Sequence, residues 1–115
     1  MLRTLLFATL LCITSAFALS WQRVRTFSGT STKETESFET ASREWRIGWR
    51  AQPTADASYF GVSVHDAADD RQVALVANTA AGGGDMSYVR ARPGKYYLKI
   101  NAANISYAVV IEDQR

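Results

Sequence analysis

The chain is poor in the residues that most small domains use for chemistry. Its 115 residues include one cysteine, one histidine and two prolines. The cysteine, Cys12, lies in the apolar N-terminal stretch, so residues 19–115 contain none. That excludes an internal disulfide, a thiol nucleophile and a cysteine-based zinc site from the remainder. With His65 as the only histidine, Ser-His-Asp chemistry has one possible location. An excess of one charge is also missing. Without Arg3, 12 basic residues face 11 acidic ones, a net of +1. Nucleic-acid binding needs a concentrated basic face, and this balance offers none.

The first segment, MLRTLLFATLLCITSAFA, has the pattern of a secretory signal. Arg3 is the positive start, the apolar run extends from Leu5 to Ile13, and Ala16-Phe17-Ala18 is the small-x-small triplet of a cleavage site. The run falls short of the ~20 residues of a comfortable membrane span. The reading is a signal peptide over residues 1–18 and a single domain over 19–115, secreted or periplasmic and free of the membrane after cleavage. An uncleaved N-terminal anchor is the alternative. Leu11 before Cys12 is too large for a lipoprotein cleavage site.

Beyond residue 18 the apolar period is two. In Glu44–Ala51, Trp45, Ile47, Trp49 and Ala51 alternate with Glu44, Arg46, Gly48 and Arg50. Such alternation marks a half-buried strand. Similar patterning covers Trp21–Phe27, the surroundings of Phe38, Ser58–Asp66, Arg71–Thr79, Met86–Arg92, Tyr96–Ile100 and Ile105–Ile111. About eight short strands separated by turn signals predict an all-β fold, a single antiparallel β-sandwich of jelly-roll-like form. Thr30–Thr35 reads as a turn and Ala80–Asp85 as a flexible hairpin loop, since successive glycines carry the largest backbone entropy. Thr32–Ser42 is the one helix candidate, and it is nearly empty of apolar residues. The predicted inward set is Trp45, Ile47, Trp49, Phe60, Val62, Val64, Leu98, Ile100, Val109 and Ile111.

Few motifs carry chemistry. His65 falls on the predicted outward face of a strand, exposed, with Asp66, Asp69 and Asp70 in the following turn. No serine sits in a G-x-S-x-G elbow. Asp66, Asp69 and Asp70 offer oxygen ligands for calcium, but their spacing departs from the EF-hand loop, and a solvated turn is the preferred reading. AGGGD lacks the lysine and following helix of a phosphate loop. Asn104-Ile105-Ser106 matches a glycosylation sequon. No cofactor is implied. The most suggestive feature is a set of outward cations and tyrosines: Arg46, Arg50, Arg90, Arg92 and Lys99 with Tyr59 and Tyr97. If their strands are neighbours, one face would suit a carboxylate-bearing glycan or an acidic partner. An ordinary charged exterior that blunts sheet edges is the alternative.

The closing stretch RPGKYYLKINAANISYAVVIE resembles the end of the bacterial pre-peptidase C-terminal domains and related small β-sandwiches. The residues that carry the likeness are Gly94, Tyr96, Tyr97, Leu98, Ile100, Tyr107, Val109 and Ile111. The likeness extends upstream to about Trp45 through the patterned strands on either side of the Asp-rich turn. It implies a secreted, non-catalytic sandwich of the kind attached to secreted enzymes for targeting or adhesion. No attached enzyme is expected from these 115 residues, and Ser58-Tyr59-Phe60 offers no match to the acidic residue that begins the family's middle strand. The expectation is therefore a non-catalytic binding or interaction module with a protein or glycan partner in the envelope or extracellular space. A carbohydrate-binding domain is one alternative, and a small hydrolase centred on His65 a second.

Overall fold

Strand formation follows the period-two pattern. The computed structural model describes residues 19–115, so the segment read as a signal peptide, with Cys12, lies outside the described residues. Among the described residues nine strands form: β1 (Trp21–Gly29), β2 (Lys33–Glu34), β3 (Phe38–Thr40), β4 (Glu44–Pro53), β5 (Tyr59–Asp66), β6 (Gln72–Thr79), β7 (Gly83–Arg90), β8 (Gly94–Ala103) and β9 (Ile105–Gln114). They make two antiparallel sheets. Sheet A has the order β1-β9-β4-β7; sheet B has β2-β8-β5-β6, with β3 also on β8.

The pairing is nested. Taking β2 and β3 as two pieces of one strand, first pairs with last, second with seventh, third with sixth and fourth with fifth. This is the jelly-roll winding, an antiparallel sandwich in which most connections cross from one sheet to the other. Among the described residues, only β5 and β6 form a hairpin within a sheet.

The region between Thr30 and Ser42 forms no helix: Lys33–Glu34, read as part of a turn, is a short strand, and the strand expected around Phe38 is Phe38–Thr40. Thr35–Ser37 separate the two pieces, and Thr35 extends the pairing with β8 by side-chain substitution. Thr35 N–H donates to the Leu98 carbonyl at 2.9 Å, and Leu98 N–H donates to Thr35 Oγ1 at 3.0 Å. The glycine-rich segment also differs from expectation. Gly83 and Gly84 belong to β7, paired with Ala51 and Arg50, and the connection from β6 is an arch between sheets, not a hairpin. Gly82 makes the arch possible. Its φ is +76°, and an added Cβ would sit 2.8 Å from the Ala51 carbonyl oxygen.

The core lies between the sheets. Of the predicted inward set, all are buried except Trp49, which is half-buried against Phe60. Aromatic rings fill both ends: Phe38, Trp45 and Tyr96 at one, Trp49, Phe60 and Tyr107 at the other, with centroids 5.2–5.4 Å apart. The buried tyrosines keep their hydroxyls satisfied, Tyr96 donating to the Arg92 carbonyl and Tyr107 to the Ser31 carbonyl. Burial pushes both phenols above their ordinary range, so they stay protonated donors.

Candidate functional site

Alternation places Arg46, Gly48 and Arg50 of β4 on the outer face of sheet A. Across β7 they oppose Tyr88, Met86 and Gly84; across β9 they oppose Glu112, Val110 and Ala108. Small side chains in the middle of this face leave a shallow groove of about 580 Å³. Gly48, Gly84, Ala108 and Val110 form its floor, and Arg23, Arg50, Asp85, Met86 and Glu112 stand around it.

The arginines here play different parts. Arg46 Nε donates to Glu112 Oε1 at 2.7 Å, and its guanidinium lies 4.2 Å from the centre of the Trp21 ring. The hydrogen bond to Glu112 raises the Arg46 pKa above its ordinary value, so the cation is fixed and neutralised in place. Trp21 in turn meets Tyr88 edge-on at 5.8 Å. Arg90 is committed to Glu44, Nε to Oε2 at 2.9 Å. Arg50 and Arg23 make no ion pair among the described residues, and both are exposed. Two free guanidinium groups thus border a groove whose only unneutralised acid, among the described residues, is Asp85.

The predicted cation–tyrosine face does not exist as one surface. Arg46, Arg50 and Arg90 share sheet A. Tyr59, Tyr97 and Lys99 lie on the outer face of sheet B, and Arg92 sits in the connection between β7 and β8. The connections on either side of β7 both change sheets, and alternation along a strand cannot reveal that. Tyr59 folds over Gly61 and donates to Asn78 Oδ1 at 2.9 Å. Trp21, Arg23 and Tyr88 are missing from the sequence-derived set. The β-bulge between Arg23 and Arg25 breaks the alternation that would have assigned the first two to this face.

His65 also departs from expectation. It faces outward from β5 yet is buried, only 6% exposed. Tyr97 stacks on it, with rings 5.4 Å apart and inclined 24°. The turn after β5 closes the other side. The three turn carboxylates do not converge on a cation, because each is used locally. Asp66 Oδ1 accepts from Ala68 N–H, Asp69 Oδ1 from Arg71 N–H, and Asp70 Oδ1 from the Tyr97 hydroxyl at 2.9 Å. Burial, with this bond to Asp70 second, pushes the Tyr97 phenol up to about 12. No group of three acidic, histidine or cysteine residues suited to a metal occurs among the described residues. The sequon asparagine holds a turn together. Asn104 adopts a φ of 50°, and its side-chain nitrogen donates to the Asp56 carbonyl at 2.9 Å.

No protein-family model and no curated protein sequence matches the chain. The resemblance to pre-peptidase C-terminal domains therefore stands only at the level of a β-sandwich. Among solved structures, the infectious bursal virus-derived T=1 particle is similar at a TM-score of 0.44 and 10% identity, over 83% of this chain and 31% of that one. The carbohydrate-binding module CBM6cm-2 from Cellvibrio mixtus lichenase 5A, in complex with cellotriose, is similar at 0.39 and 12%, over 82% of this chain and 70% of that one. The chain spans under a third of the viral chain's length.

Proposed function

We propose that this domain is a secreted or periplasmic binding module that takes an acidic glycan in the groove on sheet A. The observation that carries the reading is the pair of unpartnered arginines, Arg23 and Arg50, beside a floor of small residues. A guanidinium group matches a carboxylate with two parallel hydrogen bonds, and the small floor residues, with the Met86 side chain lying over Gly48, offer apolar contact to a sugar ring. The groove's lining contains no serine, threonine, histidine, cysteine or lysine to pair a nucleophile with a base, which supports binding without turnover at this site. The signal-like segment supports export.

The test is titration calorimetry or affinity electrophoresis with polygalacturonate and, in parallel, a neutral β-glucan. Binding of the acidic polymer, weakened at least tenfold in Arg50→Ala and further in Arg23→Ala/Arg50→Ala, is the expected result. Equal affinity for both polymers, no binding, or an unaffected double variant would reject it. A protein partner is the second reading. Edge strand β7 favours it, because Met86 and Tyr88 are 43% and 55% exposed along an open edge.

A further inference from the structure

Ser63 and His65 are two apart on β5, so both point out from sheet B, away from the sheet A groove. Their side chains meet: Ser63 Oγ lies 2.9 Å from His65 Nε2. The other ring nitrogen, Nδ1, lies 3.1 Å from the main-chain carbonyl oxygen of Asp70. A carbonyl oxygen can only accept, so Nδ1 carries the proton and donates it. Nε2 of the neutral ring is then an acceptor, and the Ser63 hydroxyl donates to it. This is the direction in which a histidine acts as general base toward a serine.

The supporting parts are fixed. Asp70 holds its carbonyl in place through a left-handed backbone (φ 62°) and a turn closed by Asp70 N–H to the Asp66 carbonyl at 2.9 Å. The Asp70 carboxylate is anchored by Tyr97, and Tyr97 also covers the imidazole face. Lys99 stands directly across the ladder from Ser63, in no ion pair among the described residues, with Glu34 opposite it on β2. Ser63, His65 and Lys99 open onto a depression of about 520 Å³ that Gln72 and Asn101 also line. Nucleophile, oriented base and a cation for developing negative charge therefore share one opening.

We propose that Ser63 is a nucleophile activated by His65, acting on short-chain carboxylic esters. Ser63 Oγ bonds to the ester carbonyl carbon as its proton passes to Nε2. The imidazolium is held by its Nδ1–H bond to Asp70, and the oxyanion faces the Lys99 ammonium. Collapse breaks the C–O bond to the alcohol, which leaves with the proton from Nε2. Water, losing a proton to Nε2, then cleaves the acyl-Ser63 bond, releasing the carboxylic acid and restoring the hydroxyl. The polar lining fits a short acyl group.

The test is intact-mass and peptide mapping after treatment with a fluorophosphonate, alongside p-nitrophenyl acetate turnover. One adduct on Ser63 is expected, absent in Ser63→Ala and formed at least a hundredfold more slowly in His65→Gln. Lys99→Ala should lower p-nitrophenyl acetate turnover at least tenfold while the circular dichroism stays unchanged. No adduct on folded wild-type protein, an adduct elsewhere, or labelling at the wild-type rate in His65→Gln would overturn the proposal. Should His65→Gln fail to fold, the wild-type and Ser63→Ala results decide alone, because that substitution removes a single oxygen.

Discussion

Replacing Asp113 with asparagine should destabilise the domain sharply at neutral pH and hardly at all in strong acid. Asp113 is fully buried in β9. Its Oδ1 accepts from the Ser42 hydroxyl and from Gln114 N–H at 3.0 Å; its Oδ2 accepts from Ala41 N–H at 2.5 Å and from Arg115 Nε at 3.2 Å. The carboxylate thus ties the β3–β4 turn to the C-terminal strand. Asparagine has the same shape but only one acceptor oxygen; with its NH₂ toward Ser42, whose hydroxyl can turn to the Glu44 carbonyl at 2.7 Å and accept, it would still face Gln114 N–H. Losing two hydrogen bonds to a charged group, at about 1.5–3 kcal/mol each, and regaining one neutral bond of about 1 kcal/mol gives a cost of about 2–5 kcal/mol. At roughly 4–8 °C per kcal/mol for a domain this size, the melting temperature should fall by at least ~8 °C. The pH dependence follows from the same contacts. Burial alone would raise the carboxyl's pKa, but Ser42, Ala41, Arg115 and Gln114 outweigh it and hold the group below its ordinary 3.8. A group depressed in the folded state stabilises fully above its unfolded value and loses that contribution as pH falls through the folded one. Urea denaturation of both proteins from pH 7 down to pH 2 should show a gap that is constant above about pH 5 and narrows below 3.8. A variant within 1 kcal/mol of wild type at pH 7, or a gap that does not shrink in acid, would refute the reasoning.

Two further expectations concern packing and backbone. Trp45→Ala should cost about 3–5 kcal/mol, the range for a large buried aromatic, and Trp49→Ala about half as much because its ring is only half-buried; equal midpoints in urea would contradict the core assignment. Gly82→Ala should cost at least ~1–2 kcal/mol from its left-handed φ alone, with the contact to the Ala51 carbonyl added. A melting temperature unchanged in Gly82→Ala would show that the arch between β6 and β7 is built differently.

Much of the interior was legible because strand geometry imposes one rule on every side chain. Trp45, Ile47, Phe60, Val62, Val64, Leu98, Ile100, Val109 and Ile111 are inward in the sequence pattern and buried in the sandwich. The rule failed where the backbone departs from it. A bulge hid Trp21 and Arg23 from the outer face of sheet A. Residues that read as a turn include the short strand β2, whose pairing with β8 Thr35 extends by lending its hydroxyl to Leu98 N–H. His65 was placed on the correct face, but its burial comes from Tyr97 of β8 and from Asp70, brought over it by the chain's reversal after β5.

The sequence by itself determined the fold class, the positions of most strands and the inward side of each, since these depend on local alternation and turn chemistry. Only the tertiary structure decided which strands are neighbours. The nested winding pairs β1 with β9 and sends β7 and β8 to opposite sheets, through contacts between residues up to about ninety positions apart. Period two says which face of a strand a side chain occupies, but nothing about which sheet the strand joins. That is why one predicted cationic face became two separate surfaces, with Arg23 and Arg50 around a groove on one and Ser63, His65 and Lys99 around a depression on the other.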